Sequence, residues 1–196
     1  GSGQILWGPQ TVGGVINYIT PDTPTEFSTS AQLRYGSFNY LLAQLSVGGT
    51  HGAVGWRVDA LHRRFDGPRR LDLTLTDVSA KLRLQLGRGS VLRVKLSFYD
   101  EGSRATYLGL TTPQFATDPT LSLAPHDRFL VQRYALSVMH SLRLREGLSL
   151  QTLLYAYQTQ REWRRQEFER RDSGADYERI CDSLGRCGAP GDDTIA

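Results

Sequence analysis

The chain has 196 residues, 39% of them hydrophobic, with a mean hydropathy of −0.37 and no apolar run near the roughly 18 residues that a helical membrane span needs. A helical membrane protein is excluded, while a soluble fold and a β-barrel both stay open. The formal net charge of +3 is small and its charges are scattered, which argues against nucleic acid as a partner.

Lys81 and Lys95 are the only lysines among 23 Lys and Arg residues, which leaves 21 arginines. Arginine suits bidentate contact with carboxylates or phosphates, and a GC-rich genome produces the same bias.

At the start, Gly1-Ser2-Gly3-Gln4 has neither the charged nor the apolar region of a signal peptide, and Asp192-Asp193-Thr194-Ile195-Ala196 stops in loop-like sequence. Both ends read as cuts in a longer chain. The run from Gly8 to Thr20, GPQTVGGVINYIT, reads as a turn followed by a short strand: Gly8-Pro9 punctuates, Gly13-Gly14 permits close backbone approach, and VINYIT is β-branched and aromatic. A phosphate loop is excluded because Val15 and Ile16 stand where Lys and Ser or Thr are required. A dinucleotide fingerprint fails as well, since Leu6 stands where its third glycine belongs.

From Ser28 onward, segments of about 10 to 14 residues alternate apolar and polar positions, the dyad pattern of a transmembrane barrel. In residues 39–49, Leu41, Ala43, Leu45 and Val47 share one face. In residues 53–65, Val54, Trp56, Val58 and Ala60 oppose Arg57, Asp59 and Arg63. Residues 77–87 set Val78, Ala80, Leu82, Leu84 and Leu86 against Asp77, Ser79, Lys81, Arg83 and Gln85. Residues 90–101 set Leu92, Val94, Leu96 and Phe98 against Arg93, Lys95, Ser97 and Tyr99, and two further strands span 131–145 and 148–161. A half-buried soluble sheet also alternates, but these strands are longer than the usual five or six residues and carry charge at mid-strand opposite an aliphatic face.

Gly87-Arg88-Gly89-Ser90 and Glu146-Gly147 are short enough for tight hairpins, whereas 65–74, 102–129 and everything after about Arg164 read as long loops. In a barrel the short turns are periplasmic and the long loops extracellular. Within the second long loop, a helical turn is expected from Thr112 or Pro113, with threonine capping and proline at its start. Cys181 and Cys187 are the only cysteines; a short-loop disulfide in an oxidising compartment is the natural reading, with metal binding the alternative.

The stretch Ile5-Leu6-Trp7-Gly8-Pro9 through Gly13, Gly14 and Asn17 resembles the end of the plug domain in TonB-dependent outer-membrane receptors. The resemblance implies an all-β fold: about seven strands of a larger, antiparallel, plugged transmembrane barrel, which needs about 22 strands in all. Residues 1–26 are then the end of the plug and its linker, and 27–196 the first part of the barrel. It also implies active uptake of a scarce ligand across the outer membrane of a Gram-negative bacterium. Energy would come from the TonB-ExbB-ExbD complex through a segment preceding the plug, with outer-membrane lipid as surroundings and no cofactor.

Within that family, the GPQ-x-VGGV-x-N form and the loop from Tyr107 to Pro119 are similar to ferric citrate receptors. A ferric chelate or siderophore is the ligand this implies; cobalamin or another metal chelate is the alternative. Arg104, Arg128, Arg161, Arg164 and Arg165 lie at strand ends on the side expected to be extracellular, so they are the candidates to clamp an anionic chelate. Lipopolysaccharide phosphates and plain solvation are the competing roles.

No catalytic set emerges, so the chain reads as a non-enzyme, with an outer-membrane barrel enzyme as the alternative class. His51, His62, His126 and His140 are scattered, no Ser-His pair can be built at the rim, and no Gly-x-Ser-x-Gly elbow is present. A passive porin shares the strand pattern but has no plug, so the Gly8 to Thr20 run separates the two.

Overall fold

Two-residue alternation dictates a pleated sheet with one aliphatic and one polar surface, and the tight turns dictate that each strand pairs with its sequence neighbour. The computed structural model, which describes residues 19–170, 177–181 and 186–189, has this form. Seven strands follow in order: β1 (Ser28–Gly36), β2 (Tyr40–His51), β3 (Val54–Phe65), β4 (Leu73–Gly87), β5 (Ser90–Ser103), β6 (Arg128–Arg145) and β7 (Leu148–Arg164). They form one antiparallel sheet in the order β1-β2-β3-β4-β5-β6-β7, without a crossover.

Several strands outrun their expected limits. β4 begins at Leu73 rather than Asp77, β6 at Arg128 rather than Val131, and β7 continues to Arg164 rather than Arg161. At 18 and 17 residues, β6 and β7 exceed the roughly 9 to 11 that cross a bilayer, so their ends project beyond an apolar band.

Short turns gather at one end of the sheet. Gly52, Gly89 and Gly147 hold φ of 58°, 78° and 74° there, left-handed values that favour glycine. The other end carries residues 66–72 and 104–127. The β1–β2 connection departs from the alternation of short and long: Ser37, Phe38 and Asn39 close it as a tight turn. Phe38 and Asn39 both lie at φ 56°, the paired left-handed geometry that matches strand twist in a hairpin.

A second difference lies after Arg164, where a long loop was expected. There β8 (Glu167–Arg170), β9 (Tyr177–Cys181) and β10 (Cys187–Gly188) form a separate three-stranded sheet in the order β10-β9-β8.

The sheet has no apolar core between layers. Buried hydrophobic residues among those described are Leu73, Leu108, Leu123 and Ala124, all at or beyond the long-loop end of the strands. The aliphatic face stays open instead, with Leu96 at 55% and Leu136 at 41% exposure although they pair mid-sheet. Phe98 and Tyr134 pack at 5.1 Å toward the long-loop side of that face, where an aromatic girdle belongs.

The two faces predict opposite responses to one substitution. Leu136→Arg should destabilise the folded protein in lipid by about 2–4 kcal/mol, and Ser97→Arg on the polar face by less than about 1 kcal/mol. Denaturant titration in lipid vesicles measures both; equal costs would contradict the assignment of faces.

Candidate functional site

The polar face is crossed near the short-turn end by the segment leading into β1. Thr50 Oγ1 donates to the Pro24 carbonyl at 2.6 Å, Lys81 Nζ donates to Thr20 Oγ1 at 2.7 Å and also to the Pro21 carbonyl, and Arg93 Nε lies 3.5 Å from Asp22 Oδ2. Glycine makes this approach possible. A Cβ at Gly55 would fall 2.7 Å from Thr23 Oγ1, and one at Gly48 would fall 3.0 Å from Pro24 Cδ.

Charge on this wall is arranged in rows by strand register. Arg57 faces Lys81, and Lys81 faces Lys95; one row nearer the turns, Arg83 faces Arg93. Asp59 holds the Arg57 guanidinium at 2.8 to 3.0 Å and accepts from Ser46 Oγ at 2.5 Å, so that cation is neutralised within the wall. Arg133 sits further toward the long loops with its guanidinium 5.2 Å from the Tyr157 ring centre.

At the long-loop end, residues 104–127 are ordered by local chemistry. The expected helical turn is α1 (Thr112–Thr117), with Thr111 as N-cap: its hydroxyl accepts from Gln114 N, and Gln114 Oε1 accepts from Thr111 N at 2.9 Å. Leu108, Leu123 and Ala124 form a small buried cluster from the segments flanking it, with Leu110 and Leu121 packed against them. Two loops lean together through Arg104, whose Nε lies 2.9 Å from Asp72 Oδ2, and through Arg69 Nε, which donates to the Pro119 carbonyl at 3.1 Å.

The exit from β7 is fastened to this loop by a buried carboxylate. Asp127, fully buried, accepts from Gln166 N at 2.7 Å, and Gln166 Oε1 accepts from His126 N at 2.9 Å. Burial pushes the Asp127 carboxyl above the ordinary carboxylate range, against hydrogen bonds from Gln166 and Thr106 and the charge of Arg165. Between the two fastened segments, the Arg165 guanidinium stacks 3.7 Å from the Trp163 ring centre and 5.0 Å from that of Tyr107.

Register sorts the five arginines expected at this rim. Arg161 pairs with Val131, which lines the polar face, and Trp163 packs on Phe129 at 5.6 Å on the same side. Arg128 and Arg164 pair with each other one residue out of phase, which assigns them to the aliphatic face; Arg164 is engaged with Glu162 there. Arg104 is tied to Asp72, and Arg165 to its aromatic pair. Geometry therefore brings Arg161 and Arg165 to the inner rim and separates Arg128 and Arg164 from them.

Trp7, Gly8, Pro9, Gly13, Gly14 and Asn17 lie outside the described residues. Cys187 stands opposite Cys181 in the β9–β10 ladder, the backbone placement that a bond between them needs.

A Ser-His pair that the sequence does not bring together also exists. Ser90 Oγ lies 2.9 Å from His140 Nε2 at the short-turn end. Among the described residues no carboxylate orients the second ring nitrogen of His140, so the pair lacks the third member that activates a serine.

A search of solved structures finds the unliganded crystal structure of the ferric citrate transporter FecA, at TM-score 0.72 and 23% identity, covering 92% of this chain and 27% of that one. The sheet is a segment of β-barrel wall. The chain spans about a quarter of that transporter's length, and no family model matches it. In the barrel wall the polar face becomes the lumen, and the aliphatic face looks outward.

The Asp127 clasp should respond to pH with a definite sign. Its carboxyl is raised in the closed loop, so the closed form binds the proton more tightly than the opened one. Stability of the clasp is then greatest below the ordinary carboxylate value, about pH 4, and is lost as pH rises through the higher folded-state value. Hydrogen exchange of residues 104–127, corrected for intrinsic rate, should show protection falling with pH over that window, and Asp127→Asn should flatten the dependence. A wild-type profile already flat would rule the clasp out as a titrating element.

Proposed function

We propose that the chain is part of an outer-membrane, TonB-dependent receptor that takes up a ferric chelate, with ferric citrate or a related ferric siderophore as its ligand. The observation that carries this reading is the wall itself: seven strands with a charged lumen face and an aliphatic outer face, aligned over nearly the whole chain with part of a ferric citrate transporter. The Gly8 to Thr20 run adds the resemblance to a plug end, which a porin has no use for.

In this reading residues 1–26 close the plug and residues 27–196 begin the barrel. Short turns face the periplasm and long loops the cell exterior, in the outer membrane of a Gram-negative bacterium. Uptake draws on the TonB-ExbB-ExbD complex, and the chain performs no covalent chemistry. Cys181 and Cys187 form a disulfide that closes the small sheet in an oxidising compartment.

Arg161 and Arg165 are the ligand clamp at the mouth, with Arg104 bracing the loops around them. Arg161 lies on the lumen side of β7. Arg165 presents its guanidinium from an aromatic stack, which fixes the planar fork in place before an anionic chelate arrives. Arg128 and Arg164 face outward and serve the lipid-facing rim instead.

Two outcomes check this. Arg161→Ala and Arg165→Ala in the full-length protein should each weaken ferric citrate binding about tenfold or more, while Arg128→Ala and Arg164→Ala leave it within about twofold. Equal effects from all four would remove the inner-rim clamp, and saturable binding of cobalamin without ferric citrate binding would replace the ligand. Separately, thiol labelling of unfolded, unreduced protein should detect no reactive cysteine; labelling of both would exclude the disulfide.

A further inference from the structure

Beside the segment that Lys81 holds, the lumen wall carries a depression of about 630 Å3 whose lining includes Lys95, Ser97, Arg133, Ser137, Tyr155 and Tyr157. Its lining runs from Val131, the cross-strand partner of Arg161, to Lys95 and Ser137, several residues further toward the short turns. Its position follows from register: Lys95 pairs with Ser137 on β6, and Arg133 pairs with Tyr99 on β5.

The charge balance at this place is incomplete. Lys95 stands directly across from Lys81, and like charges in directly opposed positions destabilise a ladder unless something negative lies between or beside them. Lys81 has found oxygen, donating to the Pro21 carbonyl and the Thr20 hydroxyl. Arg57 has Asp59 and Arg93 has Asp22. No hydrogen bond or ion pair to Lys95 exists among the described residues. Asp77 is the one carboxylate in the lining, and Arg133 is stacked on Tyr157.

We propose that this depression is a second anion site of the lumen wall, in which Lys95 and Arg133 bind a small carboxylate anion and the hydroxyls of Ser97, Ser137 and Tyr155 complete its hydrogen bonds. The chemistry fits a hydroxycarboxylate: two cations for its carboxylates, and hydroxyl groups that both donate and accept for its alcohol. The linker already displays the same affinity in miniature, with its carbonyl and hydroxyl oxygens on the Lys81 ammonium. An anion released from the mouth would meet this site on the way toward the short-turn end.

Calorimetric titration of metal-free citrate into the full-length protein in detergent tests the site, with ferric citrate in a parallel arm to tell the free anion from the chelate. Saturable citrate binding is expected, weakened about tenfold by Lys95→Gln and by Arg133→Gln and kept within about twofold by Lys95→Arg. Preference for the free anion identifies a site for released carboxylate; preference for the chelate identifies a station for the intact complex. Absence of saturable binding to either would overturn the proposal. So would unchanged affinity in both Gln variants, including the case in which Lys95→Gln merely raises thermal stability by relieving repulsion with Lys81. The mouth is tested with different variants, Arg161→Ala and Arg165→Ala, so failure of that reading and failure of this one are distinguishable.

Discussion

The constraint on which the rest of this structure depends is that a wall standing in hydrocarbon must satisfy every backbone N–H and C=O within its own ladder. A continuous antiparallel meander does so from β2 to β6, and its pleat then divides the side chains strictly by parity. Leu96 turns outward because Lys95 and Ser97 turn inward. A one-residue slip of β4 would carry Lys81 to the aliphatic face, and a slip of β5 would carry Arg93 and Lys95 there, so the register of these strands is fixed by the cost of charge in hydrocarbon more than by turn preference. β1 and β7 remain exposed along nearly all of their length because each has a neighbour on one side only.

Parity also separates function from environment. The lumen face holds the mid-strand charge, the seat of residues 20–24 at Gly48 and Gly55, and the depression at Lys95; the outer face holds leucine, valine and the Phe98–Tyr134 pair, with Arg128 and Arg164 at its long-loop edge. The long-loop end depends on different physics. There Asp127, Gln166 and the Leu108, Leu123 and Ala124 cluster build a small water-soluble core that fastens the loop of 104–127 to the exit of β7. That fastening brings Tyr107 within reach of Arg165. Asp127 and Gln166 thus hold the loop of 104–127 against the same segment that carries Arg165.

The strands were legible because alternation is a local signal that a long wall repeats many times. Val54 to Ala60 and Leu92 to Phe98 declare their faces with no tertiary information, and Thr111, Pro113 and Gln114 declare a capped helical turn. What stayed hidden depends on partners distant in sequence. Gly48 and Gly55 read as weak strand positions until Thr23 and Pro24 are laid against them. Asp127 reads as a loop acid until Gln166 closes over it, and Ser90 meets His140 only through the β5–β6 register. The opposition of Lys81 and Lys95 was recoverable only from their shared inward parity, since counting from the Gly87–Ser90 turn pair alone would set Lys81 against Leu96 and a bulge between Gln85 and Gly87 restores Lys95. Tight closure at Phe38-Asn39 was not, because it relies on two non-glycine residues in left-handed geometry.

Parity along one strand in a bilayer is the most direct test of the account. Single cysteines at each position from Leu92 to Tyr99, in protein lacking Cys181 and Cys187 and reconstituted in lipid vesicles, can carry a spin label whose collisions with oxygen and with a water-soluble relaxant are measured. Leu92, Val94, Leu96 and Phe98 should collide with oxygen, and Arg93, Lys95, Ser97 and Tyr99 with the aqueous reagent or with neither where the lumen is packed. Loss of the two-residue period, or lipid contact at Lys95, would contradict a barrel wall and everything argued from its faces.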